Sequence, residues 1–85
     1  MDNVIVTVQF ERTYDPIDLE MPVRLAIDEL EVKMLDTLKA MDVEHFERTQ
    51  RVKFKYKNTV LEPDKTLEEY GVWDGSYITI LEIGG

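Results

Sequence analysis

The chain has no cysteine. That excludes disulfides, zinc–thiolate sites and thiol nucleophiles, and it fits a reducing compartment. Histidine occurs once, as His45 in a loop, and no functional role is assigned to it. No apolar run approaches the ~18 residues that a membrane-spanning helix needs. No charged-then-apolar leader opens the sequence either, so the expectation is a cytoplasmic protein without a membrane span. Basic charge is scarce: ten Lys and Arg stand against 18 Asp and Glu, for a net charge of −8. Phosphate contacts need a basic surface, which argues against nucleic acid as a main partner. The plain consequence of the charge is solubility.

What is present suits a folded domain. At 85 residues the chain has room for one core, and 44% hydrophobic residues with four Tyr, three Phe and one Trp are ordinary for a globular protein. Residues 4–10 alternate, with Val4, Val6, Val8 and Phe10 in one phase and Ile5, Thr7 and Gln9 in the other. Period two with β-branched residues predicts a half-buried strand. An Asp-Pro turn leads to a second strand, with Ile17, Leu19 and Met21 opposite Asp18 and Glu20, which completes a hairpin. Pro22 ends the pairing. From Ala26 to Met41 the period changes, and Ile27, Leu30, Met34, Leu38 and Met41 form the stripe of an amphipathic helix. Asp28 and Glu29 near its start and Lys39 near its end complement the helix dipole. Leu35 widens the stripe, whereas Val32 falls off it and is expected at the surface.

Residues 42–50 read as a polar connection from which Phe46 folds back onto the core. "RVKFKYK" at 51–57 alternates again, Val52, Phe54 and Tyr56 inward and the cations outward, so four of the ten basic residues make one stripe. Asn58 turns the chain into a short strand at Val60 and Leu61. "LEEYG" is a single helical turn closed by Gly71, with Leu67 and Tyr70 structural. Asp74-Gly75 makes a further turn before the last strand, "SYITILE". Hairpin, helix and returning strands give a two-layer α+β fold with a mixed sheet and one helix on one face. The whole chain, 1–85, is one domain.

The stretch "NTVLEPDKTLEEYGVWDGSYITILEIGG" resembles the carboxyl-terminal third of ubiquitin, and "YDPIDLEMPVRLAIDELEVKMLDTLK" is similar to the YukD/EsaB family of small bacterial ubiquitin-like proteins. The resemblance implies a β-grasp fold with the first and last strands parallel at the sheet centre. It also departs from ubiquitin. Lys55, Thr79 and Leu81 stand where ubiquitin's docking patch has Ile, His and Val, and Thr59 and Asp74 stand where two chain-building lysines would be. Ubiquitin receptors should not recognise this face.

The terminal Gly84-Gly85 pair implies, by the same resemblance, a protein modifier. An activating enzyme would adenylate Gly85, and a conjugating enzyme and a deconjugating peptidase would complete the set, with an isopeptide bond to the target. Two glycines suit a narrow nucleotide pocket because they lack Cβ. The protein would be a monomeric substrate, not an enzyme, with no catalytic group, cofactor or metal. The alternatives are a YukD/EsaB-like accessory protein that binds non-covalently beside a type VII secretion apparatus, and a sulfur carrier. The same placement predicts an outer sheet face graded from Asp18 and Glu20, through Ile5, Thr7 and Gln9, to Tyr77, Thr79 and Leu81, and then Lys53, Lys55 and Lys57. As a partner-binding face it would use Tyr77, Thr79 and Leu81 for contact and Lys53 and Lys55 for steering. Its competitor is a solvated face whose edge lysines discourage strand pairing. Trp73 is either an exposed binding residue or leans on Pro63 or the turn. Glu44, Glu47 and the acidic helix lack metal-ligand spacing and read as solvated charge.

Overall fold

The computed structural model describes residues 2–12 and 14–84. Its elements are β1 (Asn3–Phe10), β2 (Ile17–Pro22), α1 (Ile27–Met41), α2 (Val43–Phe46), β3 (Arg51–Tyr56), β4 (Thr59–Val60) and β5 (Tyr77–Ile83). The strands form one mixed sheet in the order β2-β1-β5-β3-β4. β1 and β5 run parallel at its centre, and the other pairs are antiparallel. This is a ubiquitin-like β-grasp fold, with one main helix packed across one face.

Alternation in the strands and the helical stripe converge on one core. Val6, Val8, Ile27, Leu38, Phe46, Phe54, Leu67, Ile78 and Ile80 are fully buried. Val32 is exposed, as its position off the stripe requires. The connection after α1 differs from the loop expected. Asp42 accepts a hydrogen bond from His45 N–H at 3.1 Å, capping the short helix α2 and seating Phe46 in the core. The phenol of Tyr14 donates to the other Asp42 oxygen at 3.3 Å. Desolvation first, and the Asp42 charge second, raise the Tyr14 pKa above its ordinary value. His45 then packs between rings, 4.4 Å from Tyr14 and 4.6 Å from Phe46 by centroids. The only histidine is thus a half-buried member of an aromatic cluster.

The β3–β4 turn also shifts by one residue. Lys57, read as the end of the strand, has φ of 50° and Asn58 has 63°. Both central turn positions are left-handed, the geometry that matches the twist of a two-residue hairpin. The turn at "LEEYG" forms as expected, with Val72 N–H bonded to Leu67 O at 3.1 Å. The Tyr70 hydroxyl accepts from Glu62 N–H at 2.8 Å, tying that turn to the preceding loop.

Candidate docking face and carboxyl-terminal strand

The outer face of the sheet follows directly from register. Thr7 lies beside Asp18 on β2 and Tyr77 on β5, Gln9 beside Thr79, Thr79 beside Lys55, and Leu81 beside Lys53. Acidic, apolar and basic side chains therefore grade across one surface in the predicted order. Tyr77 and Ile5 are exposed, and Thr79 and Leu81 half-buried. Between Gln9, Lys55, Tyr77 and Thr79 the face dips into an open hollow of about 620 Å³.

The cations are less available than the sequence suggests. Lys55 Nζ reaches Glu11 at 3.9 Å, and Lys53 Nζ lies 3.8 Å from Glu31, with only 23% of the Lys53 side chain exposed. Both charges are matched within the chain, so their steering effect on a partner is reduced. Long lysine stems also cover the strand they leave, which favours the edge-protecting role for Lys53.

Glu31 itself is a correction. The acidic helix is expected to carry solvated charge, yet Glu31 is 6% exposed. Its carboxylate accepts the Phe54 N–H of β3 at 3.0 Å. Burial pushes its pKa above the ordinary value, against the opposing pull of that hydrogen bond and of Lys53. The signal was in the spacing. Glu31 falls four residues after Ile27 and three before Met34, on the buried stripe.

Trp73 is the most exposed large hydrophobic residue described, at 73%. It stands at the end of the sheet where β1 begins, in a loop fastened to Ile5: Asp74 accepts from Ile5 N–H at 2.8 Å, and Gly75 N–H donates to Ile5 O at 2.8 Å. Ser76 completes the loop by bonding Trp73 N–H through its hydroxyl at 2.9 Å. Beside the indole is a largely apolar cleft of about 480 Å³ lined by Val4, Val23, Gly71 and Val72 together with the carboxylates of Glu68 and Asp74. An exposed indole on a rigidly held loop, next to a largely apolar cleft, is well suited to protein contact.

At the other end of β5, pairing continues to Ile83, opposite Arg51. Gln50 N–H donates to Ile83 O at 2.8 Å. Gly84 follows with φ of 137°, and a Cβ placed there would lie 2.6 Å from Gln50 N and 2.9 Å from Arg48 O. Glycine at 84 is therefore favoured by close backbone approach, independently of any tail chemistry. Gly85 lies outside the described residues. Gly84→Ala is expected to move the amide resonances of Arg48–Gln50 and weaken the Gln50–Ile83 bond, at a cost of about 1 kcal/mol or less because a strand end can fray. Unshifted resonances in a two-dimensional amide spectrum would contradict this close packing.

A family model described as "WXG100 protein secretion system (Wss), protein YukD" matches residues 3–80. The chain belongs to the YukD family. No curated protein sequence matches it. Among solved structures, this YukD-family protein is similar to the ubiquitin-like domain of the Mycobacterium tuberculosis type VII secretion system protein EccD1, at 21% identity over 95% of this chain and 99% of that one, with a TM-score of 0.75. It is also similar to the EccD5 ubiquitin-like domain from Mycobacterium xenopi, at 16% identity over 98% and 97%, with a TM-score of 0.74. Caldiarchaeum subterraneum ubiquitin matches at 20% identity over 98% and 99%, with a TM-score of 0.68. Identities this low establish the shared fold. The YukD match takes in Trp73, Tyr77 and Thr79 and ends before Leu81 and Gly84.

Among the described residues no cluster of His, Cys, Asp or Glu is arranged to hold a metal ion. No helix there is long and apolar enough to cross a membrane.

Proposed function

We propose that this YukD-family protein works by non-covalent docking to a component of a WXG100, or type VII, secretion apparatus. The family match over residues 3–80 is the observation that carries this reading. The contact surface would be the outer sheet face around Tyr77, Thr79 and Leu81, continued by Ile5 and Trp73. Tyr77 and Trp73 supply area that is already held in place, so little side-chain freedom is lost on binding. Lys53 and Lys55 contribute less than their charge implies, since Glu31 and Glu11 pair them. The protein acts here as a binding module, with no reaction of its own.

Deleting Gly84-Gly85 tests the proposal. Affinity capture of the secretion components with an amino-terminally tagged protein is expected to give equal yields, within twofold or so, for the full chain and the shortened one. Loss of capture on deletion would reject non-covalent docking as the mode of action.

The glycine pair supports a second reading, in which Gly85 is adenylated by an activating enzyme and joined to a target. Its mark would be a covalent adduct that survives denaturation and disappears with the two glycines. A sulfur carrier would instead gain one sulfur in place of one oxygen in its intact mass.

A further inference from the structure

β2 is an edge strand, with β1 on one side and no strand on the other. Val23 N–H donates to Asp2 O at 2.8 Å, and the β1–β2 register continued by one residue sets these two opposite each other as a bonded pair. Antiparallel pairing alternates, so Met21, Leu19 and Ile17 bond back to β1. Asp18 and Glu20 therefore direct their N–H and C=O away from the sheet. Two observations agree with this phase. Pro22, which has no N–H to give, falls on the outward set. On β1 it is Ile5 and Thr7 that turn to the opposite side, Ile5 O accepting from Gly75 N–H and Thr7 N–H donating to Ser76 O, each at 2.8 Å. Among the described residues no turn or loop supplies the Asp18 and Glu20 main chain with a partner.

Both residues are exposed, so this edge is open. Their carboxylates are held over the outer face by neutral donors: Thr7 Oγ1 donates to Asp18 at 2.7 Å, and Asn3 Nδ2 to Glu20 at 2.8 Å. β1 beside them has no charged residue, and no Lys or Arg occurs between positions 13 and 23. The cations that flank this stretch are engaged elsewhere. Arg24 lies 3.7 Å from Asp2 and 3.6 Å from Glu68, and Arg12 lies 3.8 Å from Glu82. The two carboxylates on the edge are thus left without a counter-charge. On the inner side of the same strand Ile17 and Leu19 are half-buried at the rim of the core.

We propose that this edge accepts an extended segment of a partner protein in which basic and aliphatic residues alternate. The segment adds as a sixth strand, exchanging N–H and C=O bonds with Asp18 and Glu20. Cross-strand neighbours share a face, so the guest residues opposite Asp18 and Glu20 lie on the outer side, where Lys or Arg meets each carboxylate. The guest residue between them turns inward and covers Leu19. Main chain and charge together select one pattern, basic–aliphatic–basic. A second copy pairing through its own β2 is refused, because it would set Asp18 and Glu20 against the same two acids. Pro22 offers no N–H and Val23 O already accepts from Glu68 N–H at 3.1 Å, so the added strand is held over this short stretch only. The edge borders the outer sheet face, but binding here runs through the main chain and does not depend on Tyr77 or Trp73.

The probe is an acetylated, amidated Val-Lys-Val-Lys-Val peptide titrated into the isotope-labelled full chain. One control is Val-Glu-Val-Glu-Val. The other is the basic peptide with both lysine main-chain nitrogens methylated, which keeps its charge but removes the donors. The basic peptide is expected to shift the amides of Asp18, Leu19 and Glu20 and to slow exchange at Asp18 and Glu20 about tenfold near saturation. Both controls should bind about tenfold more weakly. Asp18→Asn with Glu20→Gln, which keeps both side-chain acceptors, is expected to weaken binding about fivefold. Trp73→Ala should leave the titration unchanged. Equal binding of the methylated peptide would reduce the effect to charge attraction and overturn the added strand. Equal binding of the acidic peptide, or unchanged affinity in the double variant, would overturn the charge pairing. Shifts without slowing at Asp18 and Glu20 would show an edge that refuses every strand, and a titration lost in Trp73→Ala would move the peptide to the docking face; either result overturns the proposal.

Discussion

Glu31→Ala is expected to lower the free energy of unfolding by about 1–3 kcal/mol, read from the urea midpoint at constant m-value. The substitution leaves the Phe54 N–H without its acceptor inside the α1–β3 contact and Lys53 without its counter-charge. It also removes a carboxylate whose burial is unfavourable, which keeps the loss below that of breaking a fully dry ion pair. Glu31→Gln separates the two effects. The amide oxygen can still accept from Phe54, and nothing charged is buried, so this variant should lie within about 1 kcal/mol of the parent.

The pH dependence has a definite sign. Burial raises the Glu31 pKa above its ordinary 4.5, so the folded protein holds this proton more tightly than the unfolded chain. The resulting contribution is full below 4.5 and is lost as pH rises through the folded value. Glu31→Gln lacks that titration. Its stability relative to the parent should therefore increase as pH is raised from 4.5 upward. An unchanged midpoint for Glu31→Ala, or a Gln-to-parent difference that moves the other way with pH, would refute the tether.

Trp73→Ala should reduce capture of the secretion partner by about 2 kcal/mol, roughly thirtyfold in affinity, while stability changes by about 0.5 kcal/mol or less. The asymmetry follows from placement. At 73% exposure the indole contributes little to the core, and the loop is held by Asp74, Gly75 and Ser76 rather than by the ring. A destabilised variant would reveal a packing role instead, and undiminished capture would remove Trp73 from the docking face. Tyr77→Ala gives a useful comparison, since Tyr77 lies beside Thr7 on the sheet proper.

Much of the fold was legible because two periodicities carry it. The alternating runs at β1, β3 and β5 and the stripe in α1 each name their buried side, and the buried sets coincide with the core apart from Met41, which the helix end leaves exposed. Once the β-grasp order is assumed, period two fixes which side chains share the outer face, so the grading from Asp18 to Lys55 could be placed before any coordinates. Other features carry a weaker local signal. α2 depends on an Asp42 cap and on Phe46 finding the core across the loop. Glu31 is visible as a polar residue on an apolar stripe, but its charge gives no local sign of the β3 N–H that donates to its buried carboxylate.

The sequence by itself determined the strands, the main helix and the faces they bury, because apolar spacing is a local property of the chain. Tertiary structure decided which charges remain free. Ion pairs and buried acceptors depend on residues distant in sequence, as with Lys53 and Glu31 or Lys55 and Glu11. It also decided why position 84 favours glycine, since the crowding there comes from the backbone of Arg48 and Gln50, more than thirty residues earlier in the chain.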